Sequence, residues 1–183
     1  MTKSVINKIA RQELIDMVPY LSARRLQAGG SNFDKKIWLN ANEASGSGEY
    51  NLSARNINRY PDFQPEELIN AYADYANVES SQLLATRGAD EGIELIIRTF
   101  CQAYQDSILI CPPTYGMYAI SAENHGAGIV KVPLTAIDND KNQLDIDAIR
   151  EQVGKVNVVF LCSPGNPTGN LLDHQQIKQV IAM

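Results

Sequence analysis

A chain of 183 residues with 44% hydrophobic side chains is long enough to bury a core and too apolar to be disordered. With 21 acidic against 16 basic residues the net charge is −5, and no run of Lys and Arg alternates with aromatics, which excludes nucleic acid as an expected partner. Cys101, Cys111 and Cys162 stand in apolar stretches without CxxC spacing and read as free thiols of a reducing compartment, while His125 and His174 show no metal-ligand spacing.

The opening stretch MTKSVINKIARQELIDMVPYL is amphipathic and carries Glu13 and Asp16, unlike a signal or transit peptide. No apolar run approaches the roughly 20 residues of a membrane span. The expectation is a soluble, cytoplasmic protein with no membrane partner.

Val5, Ile6, Ile9, Ala10 and Leu14 share a loosely helical face that Pro19 ends. Residues 1–45 read as a helix and an N-terminal arm, with KIWLN (36–40) extended and ANEASGSGEYN (41–51) opening a Gly/Ser loop. From residue 46 onward the chain reads as one larger domain. Pro65 at a first helical position, followed by Glu66 and Glu67, predicts a helix to about Ala76. LLATRG (83–88) predicts a strand before a helix over 90–104, and SILIC (107–111) a strand before a helix over 114–124. GIVKVPL (128–134) is extended, DNDKNQL a turn, and 146–153 a helix with Asp145 as N-cap. VNVVFLC (156–162), β-branched and without charge, predicts a strand buried on both faces. Asp173 and Gln176 then form a capping-box-like helix start. Alternation of this kind predicts an α/β fold, a three-layer sandwich with a mostly parallel sheet flanked by helices.

Three of these strands end in unusual loops, and ligands of open α/β sheets bind beyond the carboxyl ends of strands. In TRGADEG, Gly88 permits a sharp turn that points the N–H groups of Ala89 and Asp90 outward at a helix N-terminus. Such a terminus suits a phosphate, although Asp90 and Glu91 equally suit simple helix initiation. In CPPTYGMY, two prolines stiffen the strand exit, and Tyr115 is either a core residue or a ring laid against a flat heteroaromatic ligand. In CSPGNPTG, Pro164, Gly165, Pro167 and Gly169 build a rigid loop around Asn166, which is either turn chemistry or a fixed side-chain amide aimed at a ligand oxygen.

Together the loops resemble fold type I pyridoxal-phosphate enzymes, specifically the class I/II aminotransferases, whose Asn-Pro-x-Thr-Gly loop is similar to SPGNPTG. PYLSARRL (19–26), WLNANE (38–43), NRYPD (58–62), RGADEGIELIIRTFC (87–101) and CPPTYGMY resemble, in order, the histidinol-phosphate aminotransferase subfamily. The resemblance implies pyridoxal 5'-phosphate as cofactor, with Ala89 and Asp90 giving backbone N–H groups to its phosphate. It places Tyr115 on the pyridine ring and Asn166 at the phenolic oxygen. Tyr60 would reach across a homodimer to the partner's cofactor phosphate, and Tyr20 and Asn42 would stand near the substrate. The implied reaction exchanges an amino group between histidinol phosphate and the glutamate/2-oxoglutarate pair, in histidine biosynthesis. Gly165 departs from the subfamily, which often has Asn there.

In that family the Schiff-base lysine and the carboxylate facing the ring nitrogen follow the Asn-Pro-Thr-Gly loop. None of the eight lysines of this chain has such a context, so the chain reads as an N-terminal half, the fold type I large domain left incomplete and inactive on its own. Strands beyond Met183 would insert among those before it. Only 107–111 and 128–132 would be neighbours, with 83–86 and 156–162 losing partners, and the isolated chain would be unstable or oligomeric. Competing readings are another class I/II aminotransferase, a threonine-phosphate decarboxylase, or a non-catalytic remnant that binds a phosphate ligand or pairs with a full-length subunit. A dinucleotide-binding domain is a weaker rival, since RGADEG lacks the Gly-x-Gly-x-x-Gly spacing.

Overall fold

The computed structural model describes residues 9–18, 37, 43, 46, 48–51, 58–137 and 141–183. By packing, the chain divides into two units. One comprises Met1–Tyr20 with Arg87–Met183, the other Leu21–Thr86.

The larger unit is a three-layer α/β arrangement. Its sheet consists of β1 (Ser107–Ile110), β2 (Gly128–Lys131) and β5 (Val158–Phe160), in the order β2-β1-β5 and parallel throughout. β1 pairs Ile108 with Ile129 on one side and with Val158 on the other. Strand period 2 sends successive β1 side chains to opposite faces. Ile108 and Ile110 join Ile93, Ile97, Cys101, Ala122 and Ala127 in one core, under helices α3 (Ala89–Phe100) and α4 (Met117–His125). Leu109 and Cys111 join Val132, Leu144, Ile149 and Leu172 in the other, with Ile177 and Val180 packed against it, beneath α5 (Ile146–Arg150) and α6 (His174–Ile181). Ile97, Ile108 and Leu109 are fully enclosed, and each such side chain contributes about 1.5–3 kcal/mol of burial.

The expected α/β layering and parallel sheet are therefore present, with several local corrections. β5 lies beside β1, so the strand at 156–162 keeps a partner that the sequence reading denied it. It is also shorter and less covered than its composition predicts. Val159 is 37% exposed, because β5 is the outermost strand and pairs with nothing on its far side among the described residues. Residues 83–86 form no strand. The backbone of Ala85 is bonded instead by the Gln64 carboxamide, N–H to Oε1 at 2.7 Å and carbonyl to Nε2 at 3.3 Å, which replaces a ladder within the smaller unit.

The stretch expected to be only a turn contains a hairpin, β3 (Thr135–Ile137) antiparallel to β4 (Lys141–Gln143). α3 ends at Phe100 rather than 104. Cys101 is extended at φ −119° and buried in the core, and Asp106 Oδ2 accepts from the Gln102 N–H at 2.7 Å, closing a turn where the helix would have continued. α5 likewise gives way to turns after Arg150. Asp145 caps α5 as expected, accepting from Ala148 N–H at 3.0 Å. Asp173 caps α6, but Gln176 does not return the bond. Its side chain accepts from Leu144 N–H at 3.1 Å and donates to Leu144 carbonyl at 3.4 Å.

In the smaller unit, α2 (Glu66–Ala76) ends where predicted but starts one residue later, Pro65 standing at the cap rather than first in the helix, and Asn77 closes it in the left-handed region. At the N-terminal end of the chain Ile9 is helical and a short helix, α1 (Gln12–Ile15), follows. The face expected from Val5 and Ile6, and most of the 36–51 stretch, lie outside the described residues.

Candidate functional site

The site grows from the carboxyl ends of two adjacent parallel strands. Register pairs Ile110 with Phe160, so the loops leaving β1 and β5 start about 5 Å apart.

Gly88 opens α3 with φ 96° and ψ 175°, a conformation that residues with a Cβ avoid. Among the described residues no side-chain cap bond closes this terminus. The first-turn N–H groups, including those of Ala89 and Asp90, have no acceptor four residues back within the helix and carry its positive end. Both acids of the turn are engaged. Glu91 accepts from Arg87 backbone N–H at 2.6 Å and from its guanidinium at 2.7 and 3.1 Å, contacts that hold the Glu91 carboxyl below its usual range. Asp90 Oδ1 accepts from the Tyr115 hydroxyl at 2.8 Å. The loop after β1 thereby lays a half-buried aromatic ring beside the start of α3.

The loop after β5 is closed on itself. Gly169 N–H donates to Gly165 carbonyl at 2.7 Å, Gly165 N–H to Asn170 carbonyl at 2.8 Å, and Ser163 Oγ accepts from Leu172 N–H at 3.1 Å. Thr168 Oγ1 donates to Asn170 Oδ1. Half-buried Asn166 sits inside this frame, and its carboxamide hydrogen-bonds no other group among the described residues. Glycine at 165 has a structural reason, since a Cβ there would lie 2.3 Å from Thr168 Oγ1.

Ala89, Asp90, Tyr115 and Asn166 thus belong to one end of the larger unit. Tyr60 lies in the smaller unit with its side chain fully exposed. Tyr20 and Asn42 lie outside the described residues. Two further side chains belong to the loop after β1 and the start of its helix. The Tyr118 ring meets Tyr115 edge-to-face and stacks on Phe160, and Thr114 Oγ1 is buried with no hydrogen-bond partner among the described residues. The i, i+3 spacing of Tyr115 and Tyr118 was the available signal for the first. Burial, with a smaller contribution from nearby Cys162, pushes the Tyr118 phenol up to about 12. Burial alone takes the Cys111 thiol to about 11. No helix among the described residues is long and apolar enough to cross a membrane.

The sequence pattern of the family described as aminotransferase class I and II matches residues 26–183. The chain is 65% identical over 179 residues to the histidinol-phosphate aminotransferase of Colwellia psychrerythraea, covering 97% of this chain and 49% of that protein. It is 50% identical over 178 residues to the histidinol-phosphate aminotransferase of Photobacterium profundum, covering 97% and 45%. Among solved structures, the histidinol-phosphate aminotransferase from Clostridium acetobutylicum matches with a TM-score of 0.58 at 29% identity, over 69% of this chain and 35% of that one. N-Succinyldiaminopimelate aminotransferase from Mycobacterium tuberculosis matches with a TM-score of 0.60 at 26% identity, over 66% and 33%. The chain spans about half the length of the curated relatives it matches. Strand-end loops, layered sheet and a family match reaching from residue 26 to 183 agree, and the chain belongs to the class I and II aminotransferases.

Proposed function

We propose that this chain carries the ring- and phosphate-binding loops of a pyridoxal 5'-phosphate-dependent aminotransferase acting on histidinol phosphate with the glutamate/2-oxoglutarate pair. The observation that carries the reading is the Tyr115–Asp90 hydrogen bond of 2.8 Å, which fixes an aromatic ring at the positive end of a helix. The residues fit this cofactor. An uncapped helix start suits a phosphate dianion, a half-buried tyrosine suits a pyridine face, and an unengaged carboxamide suits a phenolic oxygen. When bound, the cofactor supplies a protonated ring that draws electrons from the substrate's α-carbon.

The backbone N–H groups of Ala89 and Asp90 anchor the phosphate, and the bonds holding Asp90 and Glu91 reduce the repulsion their carboxylates would exert. Tyr115 covers one ring face and excludes water there. Asn166 donates to the phenolic oxygen from a loop stiff enough to keep its aim. The lysine that holds the cofactor covalently is assigned to sequence following the 162–169 loop. Among the described lysines, Lys131 ends β2, Lys141 begins β4, Lys155 stands in the turn after α5 and Lys178 lies on α6, none of them in a loop that leaves β1 or β5. The 183-residue chain alone is therefore expected to turn over no substrate. Tyr60, with its side chain free in solvent, is assigned to the partner's cofactor phosphate in a cytoplasmic homodimer. The names of the 65% and 50% identical relatives support the substrate.

Equilibrium dialysis of the chain against pyridoxal phosphate tests the binding half of this reading. Saturable binding that weakens about 2- to 10-fold in Asn166→Ala is expected for one lost hydrogen bond. Wild-type binding no tighter than that of an equal concentration of free lysine overturns it. Borohydride reduction of the mixture is expected to label no lysine stoichiometrically. Assay of the longer protein with histidinol phosphate and 2-oxoglutarate, against aromatic and acidic amino donors, decides the substrate.

A further inference from the structure

Tyr104, in the turn after α3, holds φ at 64°, a left-handed conformation that residues with a Cβ avoid. The other non-glycine residue of this kind among those described is Asn77, a type that tolerates it. The Tyr104 N–H donates to the Gly126 carbonyl at 2.7 Å, and a Cβ at Gly126 would meet the Tyr104 ring at 2.9 Å. The side chain is nevertheless 59% exposed, so packing alone gives no reason for an aromatic residue on this backbone.

Arg11 supplies one. Its guanidinium stands over the Tyr104 ring, 5.9 Å from the centroid, and donates to the Asn124 carbonyl at 2.7 Å. That carbonyl lies in the last turn of α4, whose negative end and unfilled acceptors favour a cation. Contact continues past Arg11, where Glu13, Met17 and Val18 line a cleft together with Tyr104, Gly126 and Gly128. Apolar burial holds this segment weakly. Ile9 and Val18 are 80% and 74% exposed, and α1 buries no residue.

We infer that Arg11 fastens the N-terminal segment to its own chain, with Tyr104 and the carboxyl end of α4 as the docking surface. The left-handed backbone at 104 turns the ring out to receive the guanidinium, a local strain kept for a contact. The competing view makes Tyr104 no more than the end of a turn, with Arg11 resting on it incidentally. The two separate in Tyr104→Gly. Glycine takes a left-handed backbone without strain but offers no ring, so the fold is kept while the platform is lost.

Trypsin cleaves after Arg11, and the segment therefore reports on its own docking. Digestion of the native chain is followed by mass spectrometry at the Arg11–Gln12 bond and, as a reference for the fold, at Arg98–Thr99 within α3. In Tyr104→Gly, cleavage after Arg11 is expected to be about 2- to 5-fold faster, as loss of an exposed cation–π contact predicts, with Arg98 unchanged. Tyr104→Phe keeps the ring and is expected to match the wild type. An unchanged Arg11 rate in Tyr104→Gly overturns the docking surface, and so does equal acceleration at both bonds. Tyr104→Phe cut as fast as Tyr104→Gly overturns the part given to the ring.

Arg11→Gln removes the cation and the cleavage site together, so it is read by hydrogen exchange. Amides of residues 12–15 are expected to exchange faster than in the wild type, and those of α3 and α4 at the same rate. Equal exchange at 12–15 in the two proteins overturns the fastening by Arg11. Protection in the wild type is expected not to vary over an about tenfold range of protein concentration. Protection that grows with concentration overturns docking within one chain and gives the surface to the segment of a second copy.

Discussion

Gly88 and Gly165 are constrained for different physical reasons. At Gly88 nothing lies within 4 Å of a built Cβ, so the constraint is the backbone itself, held at φ 96°. Gly88→Ala is expected to cost about 1–3 kcal/mol through that strain, read as a lowered urea midpoint with an unchanged m-value. At Gly165 the backbone is permissive and the obstacle is Thr168 Oγ1 at 2.3 Å. Gly165→Ala is expected to destabilise the chain, and to do so by less in a Thr168→Ala background. Equal costs in the two backgrounds would place the strain elsewhere. Cys111 belongs to the same scale. Its thiol titrates at about 11 in the fold and at 9.0 in its ordinary state, so between these values the unfolded chain gives up a proton that the folded chain keeps. That contribution is fully present below pH 9 and is lost as pH rises through about 11. Denaturation midpoints measured across that window are expected to fall with pH, and to fall less in Cys111→Ala.

Elements are joined here by side-chain amides as much as by apolar packing. Gln143 ends β4 and is buried, its Oε1 accepting from Asp173 N–H at 2.8 Å and its Nε2 donating to Leu171 carbonyl at 3.5 Å. Gln176 on α6 reaches back to both backbone groups of Leu144. The two glutamines tie the hairpin to the start of the last helix, on the same side as the 162–169 loop. Gln143→Ala leaves the Asp173 N–H without its acceptor and is expected to cost about 1–3 kcal/mol, with faster hydrogen exchange at 171–174 than elsewhere in the unit. Neither glutamine announces this role in the sequence. A Gln in a polar turn looks like any other until its partner, some 30 residues away, is brought to it.

For the whole molecule the consequential feature is the outer edge of β5. Three residues of strand present a ladder that nothing completes among the described residues, and Val159 on that strand is exposed. Unpaired strand edges template association. The 183-residue chain is expected to self-associate in light scattering, in proportion to concentration. Val159→Lys is expected to shift it toward the monomer, while Val78→Lys, in the smaller unit, is expected to have no such effect.

The sequence by itself determined the layering, the parallel sheet, the helix caps at Asp145 and Asp173, and the strand-end loops around Gly88, Tyr115 and Asn166. These follow from local causes: hydrophobic period, cap chemistry, and the restrictions of Gly and Pro, all readable within a few residues. The neighbours of β5, the absence of a strand at 83–86, the early end of α3 and the Tyr118–Phe160 stack were decided only by tertiary structure. Each depends on a partner distant in sequence: β1 for β5, Gln64 for Ala85, the core around Cys101 for the end of α3, and Phe160 for Tyr118. Periodicity shows that a segment has a face to bury or a bond to make. Which group meets it is a property of the assembled chain.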